Sequence, residues 1–149
     1  MTRILVALDD TEASRRAANF VHEQFGRGTD EVLALSVARV PPPWIPVGVE
    51  YGAVYPWPES AAEPEDLEEA VRSTAAGAGH TIHHSGLDGV RPLVSVGDPA
   101  EEITRAAREH QVDFIVVGSH HKNVLERFLV GSVSEKLVRE GTVPVLVVP

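Results

Sequence analysis

The sequence contains no cysteine, and that absence removes disulfide staples, thiolate nucleophiles and thiolate metal sites together. Cations are scarce as well: 13 Lys and Arg stand against 22 Asp and Glu, a net charge of −9 over 149 residues with histidine neutral. A nucleic-acid clamp, which grips phosphates with a net positive face, is not expected, and neither is attraction to an anionic membrane. Long apolar runs are missing too. The first, Ile4 to Leu8, holds five residues before Asp9, against about 7–15 for a secretory core and about 20 for a spanning helix. A cytoplasmic protein is therefore the expectation. At 43% hydrophobic and 23% charged, the composition is that of an ordinary globular domain. One domain over residues 1–149 is expected, large enough to bury roughly 70% of the surface its unfolded chain would expose.

Short apolar runs alternate with longer stretches of helical spacing. Ile4 to Leu8 reads as a strand, with Asp9, Asp10 and Thr11 suited to its end and to a helix cap. Ala13, Ala17, Phe20, Val21 and Phe25 then recur at helical steps until Gly26 and Gly28. Val32 to Val37 reads as a second strand. Pro41 to Pro64 carries seven prolines and all four Trp and Tyr residues, Trp44, Tyr51, Tyr55 and Trp57, which excludes a central strand or helix and predicts a long surface excursion. Leu67, Val71, Thr74, Ala78 and Ile82 mark a second helix, weakened at Gly77 and Gly79. Val90 to Val96 follows as a third strand. Gly97-Asp98-Pro99 opens a third helix, with proline where its missing N–H costs nothing. Phe114 to Val117 is a fourth strand. Val124, Leu125, Phe128, Val133, Leu137 and Val138 predict one helix interrupted or re-aimed at Gly131, and Pro144 to Val148 a fifth strand. Strands apolar on consecutive residues must be covered on both faces, which implies an open parallel α/β sheet with helices on each side.

In such sheets ligands gather beyond the carboxyl ends of the strands, where strand order reverses. The residues leaving those ends are Asp9, Asp10 and Thr11; Ala38 and Arg39; Gly97 and Asp98; and Gly118 through Lys122. A glycine at a strand end followed by small or basic residues can turn backbone N–H groups toward an anion, and a helix start at Gly131-Ser132 would add its positive dipole end. The plainer reading of Ser132 is a helix cap.

At Ile4 to Asp9, Val96-Gly97-Asp98-Pro99, Asp113 to Ser119, Leu129 to Ser134 and Val143 to Val148 the chain resembles the universal stress protein family, over essentially its whole length. Nucleotide-binding members carry glycine, two residues, glycine, nine residues, then glycine and a hydroxyl residue. Here Gly118 is followed by two residues, His121, nine residues from Lys122 to Val130, and Gly131-Ser132, so the spacing is intact and the second glycine is histidine. The resemblance implies strand order 3-2-1-4-5 in a single five-stranded sheet and a cleft between strands one and four. It further implies ATP or another adenine nucleotide in that cleft, with Mg²⁺ as its companion. Asp9 would meet the ribose and adenine end, and the backbone at Val37 the base. Val117, Gly118, the position of His121, Gly131, Ser132 and Val133 would surround the phosphates. If the glycine served only a positive φ, histidine there costs about 1–2 kcal/mol, which weakens binding about 5–30-fold. If bare backbone is needed for the phosphate to approach, the imidazole blocks it. His120, His121, Lys122 and Arg127 form the one locally basic stretch, which either lies solvated or meets the triphosphate. In the second case affinity rises as pH falls from about 8 to 6.

His80, His83 and His84 fall at steps of three and four, placing His80 beside both others on the wet face, and no metal site is assigned to them. Asp9 and Asp10 diverge as neighbours leaving a strand, one to the helix cap and one to the cleft. Neither a P-loop lysine motif nor a dinucleotide fingerprint occurs, and Ser119 beside His120 lacks the nucleophile-elbow pattern. No catalytic residue is assigned; slow ATP hydrolysis would need Mg²⁺ and a water-positioning group that no residue supplies. The C-terminal strand has no following helix to cover its edge, so a homodimer through that edge is expected. Two readings follow. In one, a nucleotide-binding regulatory module is read by an unidentified protein partner. In the other, a nucleotide-independent dimeric interaction protein has its phosphate site closed by His121.

Overall fold

The computed structural model describes residues 1–26, 28–39, 64–87, 90, 92–119 and 131–149. The expected excursion over 41–63 and the residues His120, His121, Lys122, Val124, Leu125, Arg127 and Phe128 lie outside them. The element order is β1 (Arg3–Ala7), α1 (Glu12–Phe25), β2 (Glu31–Ala38), α2 (Pro64–Ser85), β3 (Pro92–Val96), α3 (Pro99–Glu109), β4 (Phe114–Gly118), α4 (Ser132–Glu140) and β5 (Val145–Val148).

All strand pairs are parallel, and the sheet runs β3-β2-β1-β4-β5, as the resemblance implied. Ile4, Val6, Leu8, Ala34 and Val116 face one way, against Ala17, Ala18 and Val21 of α1 and Ala78 and Ile82 of α2. Leu5, Leu35, Ile115 and Val117 face the other way, against Ala100, Ile103, Ala106 and Ala107 of α3 and Leu137 of α4. Each strand thus spends its consecutive apolar residues on two cores, which is why none of them alternates with polar residues. The helices meet the sheet largely through alanine, so backbone layers approach closely.

Local chemistry sets the boundaries. Thr11, with extended backbone, is the N-cap of α1, and its Oγ1 accepts from the Ser14 amide at 3.2 Å. Neither Asp9 nor Asp10 caps the helix, contrary to expectation, because Asp9 braces the cap instead: its Oδ1 accepts from the Thr11 amide at 3.0 Å and from the Thr11 hydroxyl. Asp98 caps α3 with Pro99 at the first helical position, as expected. Pro64, read as the end of the excursion, is the first residue of α2, where a missing N–H is harmless. That helix continues through Gly77, which packs near Asp10, and Gly79, which faces open space. β3 starts at Pro92 rather than Val90 because the Val90 amide closes a turn onto the Leu87 carbonyl at 3.2 Å. Gly141 ends α4 in the left-handed region at φ 57°.

Candidate functional site

The chain leaves β1 toward one side of the sheet and leaves β4 toward the other, so β1 and β4 flank the point where strand order reverses. A cavity of about 480 Å³ opens there. Asp9 enters it from the β1–α1 turn, Val37 from β2, Val117 and Gly118 from β4, and Gly131, Ser132 and Val133 from the start of α4. These are the described residues that the sequence nominated, drawn together from four separate segments. His121, the remaining one, lies outside the described residues.

The β1–α1 turn is held at every polar group that anchors Asp9. Its amide donates to Ser14 Oγ at 2.8 Å, and its carbonyl accepts from Thr81 Oγ1 at 3.2 Å. The preceding Leu8 carbonyl accepts from Ser36 Oγ at 2.6 Å, and the Leu8 amide bonds the Leu35 carbonyl at 2.8 Å. With Oδ1 committed to Thr11, Asp9 Oδ2 has no hydrogen-bond partner among the described residues. It is therefore an acceptor for a ligand hydroxyl or amine.

Opposite lies the amino end of α4. Ser132 is not its cap. Gly131 occupies that position with no side-chain hydrogen bond, and Ser132 is the first helical residue. The Ser134 hydroxyl donates to the Gly131 carbonyl at 3.0 Å, which orders the turn without consuming an amide, and the first intrahelical bond runs from Glu135 N to that same carbonyl at 2.8 Å. Among the described residues the amides of the first turn have no side-chain cap, and together with the helix dipole they make this wall attractive to an anion.

Gly118 has a steric reason to be glycine. A Cβ built on it would stand 2.1 Å from the Ala13 carbonyl oxygen and 2.4 Å from its carbon, so α1 lies directly on the end of β4. The next amide, Ser119, is already bonded to the Val148 carbonyl at 2.8 Å and is not free for a phosphate, contrary to what the glycine-loop pattern suggested. The Ser119 carbonyl accepts from Arg16 at 3.2 Å, and the same guanidinium donates to the Pro149 carbonyl at 2.9 Å.

Thr11 and Arg39, named from the sequence only as residues leaving the strand ends, also line the cavity, and so do Ser14, Leu35, Pro99 and Ile103, which sequence reasoning did not place there. Leu35 and Val37 share one face of β2 by period-two alternation, and Arg39, just past its end, continues the row, a signal readable once Val37 is placed. Below the cavity, Lys136 of α4 bonds Asp98 and Glu101 of α3, each at 3.0 Å. The lysine hydrogen bond and the Glu101 amide hold the Asp98 carboxyl below its ordinary value of 3.8. On α2 the three histidines are exposed, and it is His84, not His80, whose ring lies near both others, at 4.0 Å from His80 and 5.5 Å from His83. The His84 Nδ1 and the His80 carbonyl are 2.9 Å apart. Among the described residues no group of three or more metal-ligating side chains is formed, and no helix is long and apolar enough to cross a membrane.

Fold and cavity together define a parallel α/β protein with a cavity at its topological switch point, the place where such sheets bind ligands. A model of the universal stress protein family matches residues 1–149, and the chain belongs to that family. It is 31% identical to universal stress protein MJ0531 of Methanocaldococcus jannaschii over 148 residues, which cover 98% of this chain and 81% of that one. Shorter matches give 44% identity to MJ0577 of the same organism, across 40% of this chain and 36% of that protein. They also give 36% identity to the stress response protein NhaX of Bacillus subtilis, across 60% and 53%. The chain thus aligns with less than two thirds of the length of these last two relatives. Among solved structures, that of MJ0577 superposes with a TM-score of 0.67 at 25% identity, covering 99% of this chain and 94% of that one. A universal stress protein family member of Arabidopsis thaliana with AMP bound superposes at 0.60, with 21% identity and coverage of 99% and 91%. The Archaeoglobus fulgidus protein in complex with dAMP superposes at 0.55, with 21% identity and coverage of 100% and 98%.

Proposed function

We propose that the chain is a regulatory module that binds ATP or another adenine nucleotide in the cavity at the carboxyl ends of β1 and β4. The carrying observation is the polarity of that cavity: a carboxylate with an unused oxygen, Asp9, on one wall and the uncapped amino end of α4 on another. A nucleotide is polar in the same sense, with donor hydroxyls and amine at one end and anionic phosphate at the other. AMP and dAMP in two structural relatives support the adenine class. In this reading Asp9 takes the ribose and adenine end, the Val37 backbone meets the base, and Val117 and Gly118 form the floor. Gly131, Ser132 and Val133 offer amides to phosphate, and His121 takes the place of the second glycine in the sequence pattern. Mg²⁺ would accompany a polyphosphate, with Asp9 the carboxylate that lines the cavity among the described residues. No residue is assigned to catalysis.

Denaturing freshly purified protein and analysing the supernatant by mass spectrometry tests this directly. Released adenine nucleotide is expected. For protein that has lost its ligand, nucleotide added at a hundredfold its Kd should stabilise the fold by about 2.7 kcal/mol. No release, together with no thermal shift at millimolar ATP or AMP, would favour the nucleotide-independent interaction protein. Exposed Val138 of α4 and Leu146 of β5 favour a contact with a second copy in either case.

A further inference from the structure

Beyond Asp9, a single charged side chain lines the cavity among its described residues: Arg39. It follows the last residue of β2 and extends the Leu35-Val37 row, so its side chain leaves the sheet on the face covered by α3 and α4. It also lines an adjoining recess of about 420 Å³, which shares Arg39, Pro99, Ser132 and Val133 with the first cavity and continues to Gly97, Asp98 and Lys136. Arg39 therefore sits at the junction of two connected hollows, across from the first turn of α4.

The charges around this junction are not equivalent. Lys136 is consumed by Asp98 and Glu101, at 3.0 Å each, and Asp98 is in turn neutralised by it. Arg39 forms no hydrogen bond or ion pair among the described residues, so none of these residues claims its five N–H donors. A guanidinium presents them in a planar fork that matches two oxygens of a phosphate, and its apolar stem can lie along Pro99 and Val133 while the head meets the anion.

We infer that Arg39 is the residue by which this site discriminates a phosphorylated ligand from the corresponding nucleoside, a specificity role that rests on the nucleotide reading given above. The α4 amides are a backbone-only anion wall. Arg39 adds the side-chain charge that makes the affinity depend on the phosphate. The recess beyond it, where Lys136 and Asp98 cancel, offers no second uncommitted cation among the described residues.

The test compares wild type, Arg39→Gln and Arg39→Lys in the full chain, cleared of any co-purified ligand, by calorimetric titration with adenosine, AMP and inorganic tripolyphosphate. Circular dichroism checks that the variants fold. Arg39→Gln should weaken AMP by about tenfold or more and leave adenosine within about twofold, while Arg39→Lys recovers part of the loss by restoring charge without the fork. Equal weakening of adenosine and AMP, or no change in either, would overturn the inference and leave the adenine reading standing. If neither adenine compound binds wild type, the nucleotide reading fails, and tripolyphosphate decides the rest. Binding lost in Arg39→Gln keeps Arg39 as the anion residue, and binding absent or unchanged removes it.

Discussion

Gly118 is held by two different demands, and they separate experimentally. The glycine-loop pattern assigns it to the approach of phosphate, whereas the contact with Ala13 shows that α1 already occupies the space a side chain would need. The atoms met are backbone, which cannot swing aside as a flexible side chain would. Gly118→Ala should therefore destabilise the protein by about 1–3 kcal/mol or more, measured as a lower urea midpoint in the absence of any nucleotide. An unchanged midpoint would mean that α1 can retreat from β4. Loss of nucleotide binding in such a variant would then say nothing by itself about phosphate contact, which is why Arg39, which has no hydrogen bond or ion pair among the described residues, is the sharper probe. The residue scale also shows why Ser132 misleads. A serine before a helix reads as a cap, yet here the glycine before it takes that position and supplies no side-chain cap.

Between elements, the Lys136 link to Asp98 and Glu101 fastens the middle of α4 to the amino end of α3, next to one wall of the cavity. The Asp98 carboxyl titrates below its ordinary value of 3.8 chiefly because Lys136 bonds its ionised form. A depressed carboxyl contributes stability that is fully present above the unfolded value and is lost as pH falls through the folded one. The link should therefore be intact at neutral pH and fail only in acid below about pH 4. Lys136→Met should move the Asp98 titration upward toward its ordinary value, read by carboxyl NMR. A titration unmoved by the substitution would show that the N-cap amide of Glu101 alone sets it. A second junction joins α1, β4 and β5, where Arg16 holds the Ser119 and Pro149 carbonyls and the Ser119 amide holds Val148. One floor of the cavity and the edge of the sheet thus share a single set of hydrogen bonds.

For the whole molecule, the open question is what covers β5. It is an edge strand paired on one side with β4, and Leu146 is 39% exposed while Val138 of neighbouring α4 is 53% exposed. An edge strand with apolar residues presents unpaired backbone groups that a second copy can complete. Sedimentation at micromolar concentration should give a dimer mass, and Leu146→Lys should shift it toward monomer. A monomer at that concentration in wild type would reject the expected homodimer.

The succession of strands and helices and the two-sided burial of the sheet were legible in the chain, because hydrophobic period, proline, glycine and capping residues act over a few positions, whereas the residues nominated for the cavity came from the family resemblance. Helix α1 from Ala13, Ala17 and Val21, and the Asp98-Pro99 start of α3, are cases where neighbours alone decide. Tertiary structure decided what depends on distant residues meeting. It made Gly118 a packing position beneath Ala13, gave the Ser119 amide to Val148, and set Lys136 against Asp98, while among the described residues it left α4 without a side-chain cap and Arg39 without a partner on the wall of the cavity. The physical reason is that propensity and periodicity are local, whereas a site's charge and open donors are what remains after long-range packing has claimed its partners.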